Sequence, residues 1–161
     1  MPKNIIMKDA RIMFRNFSGE ETKFNHKGDR NFCLIIPSQE MAETLLKEGW
    51  NVQRLEPREE GDSPTYYIQV SVSFEHLPPK IVIVRKDGSK SLVPENMIGE
   101  FDYADFKTID VSVRPYEWEV NGNHGIKGYL KTMYVTFEVD EFEDDYPETV
   151  PLKPDNGYDY E

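Results

Sequence analysis

Residues 109–120, IDVSVRPYEWEV, and residues 126–139, IKGYLKTMYVTFEV, flank the segment NGNHG at positions 121–125. In the first segment Ile109, Val111 and Val113 alternate with polar residues, which is the two-residue period of a half-buried strand. Asn121-Gly122 is a strong hairpin signal, because both residues tolerate the positive φ angles that such turns need. We therefore predict a long C-terminal hairpin with a five-residue connection, 121–125.

The polar phase of this predicted hairpin carries large aromatic residues interleaved with cations. These residues are Arg114, Tyr116, Trp118, Lys127, Tyr129 and Lys131. Bases stack on flat rings and cations hold phosphates, so the pattern favours binding of single-stranded nucleic acid. Burial of Trp118 and Tyr129 in the core is the open alternative, because most large aromatic residues are mainly buried.

The second strand contains a conflict of phase. Lys127, Tyr129 and Lys131 share their parity with Met133 and later apolar residues that look like core. A β-bulge near residue 132 would switch the two faces. The alternative is that the lysine-containing part of the strand projects beyond the edge of the core.

Negative charge is concentrated at the C-terminus of the 161-residue chain, whose net charge is −11. Residues 138–161 contain ten acidic residues and one lysine, whereas residues 1–137 contain twenty acidic and eighteen basic residues. A nearly neutral body with local basic stripes can bind a polyanion. We predict one folded domain, residues 1–142, and an acidic, proline-containing, disordered tail, residues 143–161.

Other segments predict the rest of a mainly β domain. Ser38–Gly49 is the clearest helix, with Ser38 as N-cap and Gly49 as the left-handed C-terminal residue. Predicted strands include Ile5–Phe14, Asn31–Pro37, Tyr66–Phe74 and Lys80–Arg85, and Trp50 is predicted to fill the core. Tyr67 falls on the polar phase of its strand. The polar loop 16–29 contains Phe17 and Phe24, which either anchor the loop or stack on bases.

Several classes of function lack their sequence signals. No apolar run approaches the roughly 18–20 residues of a membrane span, and the N-terminus does not resemble a signal peptide. The single cysteine, Cys33, is predicted to be buried and inert, as in a cytoplasmic protein. No phosphate-binding loop or zinc pattern occurs. Glu100, Asp102, Asp105 and Asp110 form the best carboxylate cluster, which a two-metal nuclease would use.

Five segments together resemble bacteriophage or prophage single-stranded DNA-binding proteins. They are ARIMFRNFSG (10–19), RNFCLIIP (30–37), GWNVQRLEPREEGD (49–62), PPKIVIV (78–84) and GIKGYLKTMYVT (125–136). The resemblance implies an OB-fold, a closed or partly closed five-stranded barrel that binds single strands across its face. It also implies an acidic tail that recruits replication or recombination partners and competes with DNA. Such tails often end in an aromatic residue, whereas this chain ends in Glu161.

These observations predict a non-enzymatic binder of single-stranded DNA in the host bacterial cytoplasm, without catalytic residues, metal or cofactor. Predicted stacking residues are Phe17, Phe24, Tyr67, Tyr116, Trp118 and Tyr129. Predicted phosphate contacts are Arg11, Arg15, Lys23, Lys27, Arg30, Arg114, Lys127 and Lys131. Predicted partner contacts in the tail are Asp144, Asp145, Asp155, Tyr158, Asp159, Tyr160 and Glu161. A homo-oligomer is left open, as are an acidic DNA-mimic inhibitor and the nuclease.

Overall fold

The computed structural model describes residues 2–75 and 77–138. The strands are β1 Ile5–Met7, β2 Ile12–Asn16, β3 Arg30–Ile36, β4 Gln53–Leu55, β5 Thr65–Val72, β6 Lys80–Val84, β7 Lys90–Leu92, β8 Phe106–Val120 and β9 Asn123–Phe137. The helices are α1 Gln39–Glu48 and a 3₁₀ helix, Glu95–Asp102. The predicted mainly β class is confirmed. The predicted boundary at residue 142 and the acidic tail, 143–161, lie outside the described residues.

The strands form one nine-stranded sheet in the described part of the chain. Its main path runs β1-β8-β9-β5-β3-β2, with β4 paired to β5, β6 paired to β9 and β7 paired to β6. The N-terminal segment supplies a strand to each end of this path. The path itself does not close among these residues, so a closed five-stranded barrel stays a prediction. None of the described helices has the length and apolarity needed to cross a membrane.

The N-terminal segment is two strands, so the prediction of one strand over Ile5–Phe14 is wrong. β1 pairs with β8, whereas β2 pairs with β3. The extended conformation is interrupted at Asp9, which has a φ of 51°. The Asp9 N–H donates to the Asp110 carboxylate at 2.9 Å. Phe14 also has a positive φ, 52°, and its ring is exposed. Pairing with two different strands, β8 and β3, therefore determines the structure of this segment more than its alternation of apolar residues does.

Helix α1 has the predicted ends. The Ser38 hydroxyl accepts a hydrogen bond from the Met41 N–H at 3.1 Å, and Gly49 ends the helix with a φ of 105°. Leu45 lies on the buried stripe, and Trp50, which follows the helix, is only 3% exposed. The prediction that Trp50 fills the core is confirmed.

The β8–β9 hairpin is confirmed, but its turn is shorter than predicted. Asn121 and Gly122 have φ angles of 51° and 84°, and β9 resumes at Asn123, so the five-residue connection is wrong. The register jumps from Ser112 opposite Thr132 to Val113 opposite Leu130. Lys131 is therefore the extra residue of a bulge, which is the first of the two explanations of the phase conflict.

This bulge divides the hairpin into two parts. We call residues 106–113 and 130–137 the hairpin base, and residues 114–129 the hairpin tip. In β9 the buried residues are Ile126, Gly128 and Leu130 before the bulge, and Met133 and Val135 after it. The switch of parity keeps one side of β9 on the core along its whole length.

Candidate nucleic-acid interface

The outer side of the hairpin tip brings rings and cations together. The register forms three cross-strand pairs: Arg114 with Tyr129, Tyr116 with Lys127, and Trp118 with Gly125. The Tyr116 and Tyr129 rings meet edge to face at 6.1 Å, and the Lys127 ammonium lies 5.1 Å from the centre of the Tyr129 ring. The predicted alternation of rings and charges therefore becomes one cluster on a single sheet face.

Two rings of this cluster are open to solvent. Tyr116 is 57% exposed and Trp118 is 38% exposed, while Tyr129 is half-buried. The alternative that Trp118 is a core residue is therefore wrong. A Cβ at Gly125 would lie 2.9 Å from Trp118 Cζ2, so the glycine lets the indole lie against the β9 backbone. The indole thus presents a supported, partly open face.

A groove runs beside this cluster and across β5. One section has a volume of about 540 Å³, and the next section has a volume of about 430 Å³. Gln69, Ser71 and Lys127 line both sections, so the two sections adjoin, and together we call them the β5 groove. Trp118 lies on the first section, and Tyr129 lies on the second. Both polar side chains and aromatic rings line the groove, a combination that suits a strand of bases and phosphates.

The two phenylalanines of the β2–β3 loop that were predicted to stack on bases have different environments. Phe24 is 93% exposed and lines the second section of the β5 groove. The Asn25 amide nitrogen donates to three carbonyl oxygens of the same loop and fixes its shape. Phe17 is completely buried and stacks on Phe32 at 5.2 Å. The prediction that Phe17 contacts DNA is wrong, because its ring anchors the loop in the core.

Two predicted phosphate contacts hold the fold instead of facing open solvent. Arg15 Nη1 donates to the carbonyl oxygens of Phe101 at 3.0 Å and Ala104 at 2.6 Å, which corrects the prediction for Arg15. Arg30 lines the β5 groove, but its Nε donates to the Phe17 carbonyl and its Nη1 pairs with Glu95 at 2.7 Å. Arginine at these positions is explained by its fixed fork of donors.

The remaining predicted cations are distributed over more than one surface. Lys23 and Lys27 are exposed on the β2–β3 loop, and Lys131 is exposed at the bulge. Arg114 is half-buried on the hairpin tip. Arg11 lines a different cavity, next to Pro37 and Thr65, so it does not belong to the β5 groove.

Tyr67 has a partner that the sequence did not reveal. Its hydroxyl donates to Gln53 Oε1 at 3.2 Å, and its ring meets Phe14 edge to face at 6.0 Å. Phe14 was missed because only its positive φ turns it outward, and a phenylalanine gives no local signal for that backbone conformation. Gln69 and Ser71 were visible in the sequence as the polar phase of β5.

Two of the four carboxylates of the nuclease alternative, Asp102 and Asp110, have structural roles. Asp102 accepts hydrogen bonds from the N–H groups of Phe17 and Ser18, and Asp110 accepts from Asp9. Across residues 2–75 and 77–138, no three His, Cys, Asp or Glu side chains are grouped so as to hold a metal ion. Cys33 is buried, as predicted, and burial raises the pKa of its thiol to about 11, which disfavours the reactive thiolate.

A mainly β domain with rings and cations along an open groove is typical of proteins that bind single-stranded nucleic acid. Residues 1–157 match the family described as "Putative phage ssDNA-binding domain", and the chain belongs to this family. The resemblance predicted from the sequence is confirmed.

The fold is similar to solved structures of a protein from a bacteriophage. The single-stranded DNA-binding protein from bacteriophage Enc34 is 12% identical, with a TM-score of 0.52 over 89% of each chain. Its structure in complex with ssDNA is 11% identical, with a TM-score of 0.54 over 86% of this chain and 89% of that one. No curated protein matches the sequence. At these identities the similarity concerns the fold.

Proposed function

We propose that the protein binds and protects single-stranded DNA without strong sequence preference, through the hairpin tip and the β5 groove. The observation that carries this proposal is the exposed cluster of Tyr116, Trp118 and Lys127 beside Tyr129. Membership in the phage family supports the same ligand. We place this activity in phage DNA replication or recombination in the host cytoplasm.

Stacking and charge explain binding without base-specific contacts. Every base has a flat face, so rings such as Trp118 and Tyr116 accept any of the four, at about 1–3 kcal/mol per stacked base. Lys127, Arg114 and Lys131 would meet phosphates. Because each phosphate contact releases counterions, affinity should fall as salt rises, with a logarithmic slope of about −0.7 per phosphate.

Two variants test the hairpin tip and the adjoining bulge residue, Lys131. We expect Trp118→Ala and the double variant Lys127→Ala/Lys131→Ala each to weaken binding without unfolding the domain, because these side chains lie on the outer face. Fluorescence anisotropy with a labelled oligo-dT measures the affinity, and a thermal melt checks the fold. Tyr103→Ala is the control, since this tyrosine is 84% exposed and does not line the β5 groove. Unchanged affinity in both variants would remove the tip from the site.

A gel-shift assay separates this function from its alternatives. Single- and double-stranded oligonucleotides are compared with and without Mg²⁺. Retention of single strands only supports the proposal, and no retention would favour an acidic interaction protein that mimics DNA. Cleavage with Mg²⁺ would indicate a nuclease.

We also propose that the acidic C-terminus modulates DNA access and recruits replication or recombination proteins. Residues 144–161 contain six acidic residues and one lysine, and they can compete with DNA for the cations of the groove. Deletion of these residues should tighten oligo-dT binding at low salt, with a smaller effect at high salt because salt screens the competition. Weaker binding by the truncated protein would count against this role.

Light scattering of the full-length and truncated proteins would show whether the protein is a homo-oligomer.

A further inference from the structure

A second group of a ring and cations lies on the hairpin base, beyond the bulge. The Lys80 ammonium lies 5.5 Å from the centre of the Tyr134 ring. On β6, Val82 is directly opposite Tyr134, and Val84 is opposite Lys90 of β7. Residues two apart on a strand share a face, so Tyr134, Lys80 and Lys90 lie on one side of three neighbouring strands.

This side is the same outer side that carries the tip cluster. Met133 and Val135 are buried after the bulge, so Tyr134 between them points outward, as Tyr129 does before it. β5 and β6 both pair with β9 in parallel, with Ser71 opposite Tyr129 and Lys80 opposite Thr132. Tyr129 and Tyr134 are five residues apart along β9, which is at most about 17 Å at about 3.3 Å per residue.

The charges around Tyr134 favour an anion. A hydrogen bond with Lys80, and then the positive charges of Lys80 and Lys90, lower the pKa of the Tyr134 hydroxyl. On the other side, Asp110 of β8 is opposite Tyr134, and its carboxylate accepts the Asp9 N–H. Two lysines therefore lie on the β6–β7 side of Tyr134 and Asp110 lies on its β8 side, and exposed Lys131 comes between Tyr134 and the tip cluster along β9.

We propose that Tyr134, Lys80 and Lys90 form a second stacking and phosphate-binding site, which extends the path of a bound single strand past the bulge. This inference rests on the proposed function. A short strand would fill the β5 groove alone. A longer strand would continue along the outer face of β9 and place one more base on Tyr134, with its phosphates on the lysines.

The dependence of affinity on oligonucleotide length tests this path. The probes are labelled oligo-dT of about 5 and about 16 nucleotides, near the limits of the range for one domain of this kind. We expect Tyr134→Thr to weaken binding of the long probe about 5-fold or more, which is the loss of one stacked base, and to leave the short probe unchanged. Tyr134→Phe keeps the ring and should bind both probes like the natural protein. Tyr103→Thr is the matched control on a tyrosine outside the path.

The lysine pair provides an independent variant if Tyr134→Thr does not fold. Lys80→Ala/Lys90→Ala should weaken only the long probe and reduce the slope of its logarithmic salt dependence by about 1.4, which is two phosphate contacts. Equal affinities for the long probe in the variants and the natural protein would overturn the second site, and so would equal losses for both probes. Failure of the natural protein to bind either probe would instead overturn the proposed function.

Discussion

The base and the tip of the β8–β9 hairpin use the same two strands for different purposes. In the base, Val111 and Met133 face each other in the sealed core. In the tip, Trp118 and Tyr116 are exposed, and their strand partners Gly125 and Lys127 leave them open. The exposed rings lie beyond a one-residue bulge on the outer side of the hairpin, while its inner side stays on the core at Ile126 and Gly128. A single pair of strands can therefore pack against the core along its inner side and expose rings and cations on the outer side of its tip.

The largest expected difference between the two parts is in stability. Met133→Ala removes a fully buried side chain from the base and should lower the free energy of unfolding by about 2–5 kcal/mol. Trp118→Ala in the tip should lower it by less than about 1 kcal/mol, because the indole is already partly exposed. Urea denaturation measures both changes. Similar losses in the two variants would contradict the division of the hairpin.

The predictable features of this fold are those that local chemistry controls. Ser38 and Gly49 mark the helix ends because capping uses the side chain or backbone freedom of one residue. A bulge near this position was one of the two explanations that the change of parity in β9 allowed, because an extra residue switches the two faces of a strand.

The features that the sequence did not reveal depend on distant contacts. Phe17 and Phe24 stand in the same polar loop, yet one is buried against Phe32 and the other is exposed at the groove. Their order along the chain does not determine which ring enters the core. Arg15 likewise looks like a surface cation until the carbonyl of Ala104 is brought to it. The face of rings and cations on the tip was predictable from the sequence. Whether an individual residue of the β2–β3 loop lies in the core or at the groove was not.

Substitutions at two glycines of β9 should have effects of intermediate size, one on stability and the other on DNA binding. A Cβ at Gly128 would lie 2.9 Å from Val113 Cγ1 and 3.3 Å from Trp50 Cζ3, so Gly128→Ala should destabilise the fold by about 1–3 kcal/mol. Gly125→Ala would instead displace the Trp118 indole, so we expect weaker oligo-dT binding with little loss of stability. Thermal melts and anisotropy on both variants measure the contrast. Loss of stability in Gly125→Ala with unchanged binding would show that the indole supports the fold.

The turn at the end of the tip should give the smallest effect. Gly122 has a φ of 84°, and a Cβ there would meet nothing within 4 Å, so the cost of Gly122→Ala comes from the backbone alone. That cost is about 1 kcal/mol, and Gly122→Asn should recover part of it because asparagine tolerates this conformation. Hydrogen exchange at the amides of residues 119–124 should become faster in Gly122→Ala, while exchange in the base stays unchanged. Equal acceleration at Val111 would mean that the tip and the base open together, since a local fraying of the turn cannot expose a strand beyond the bulge.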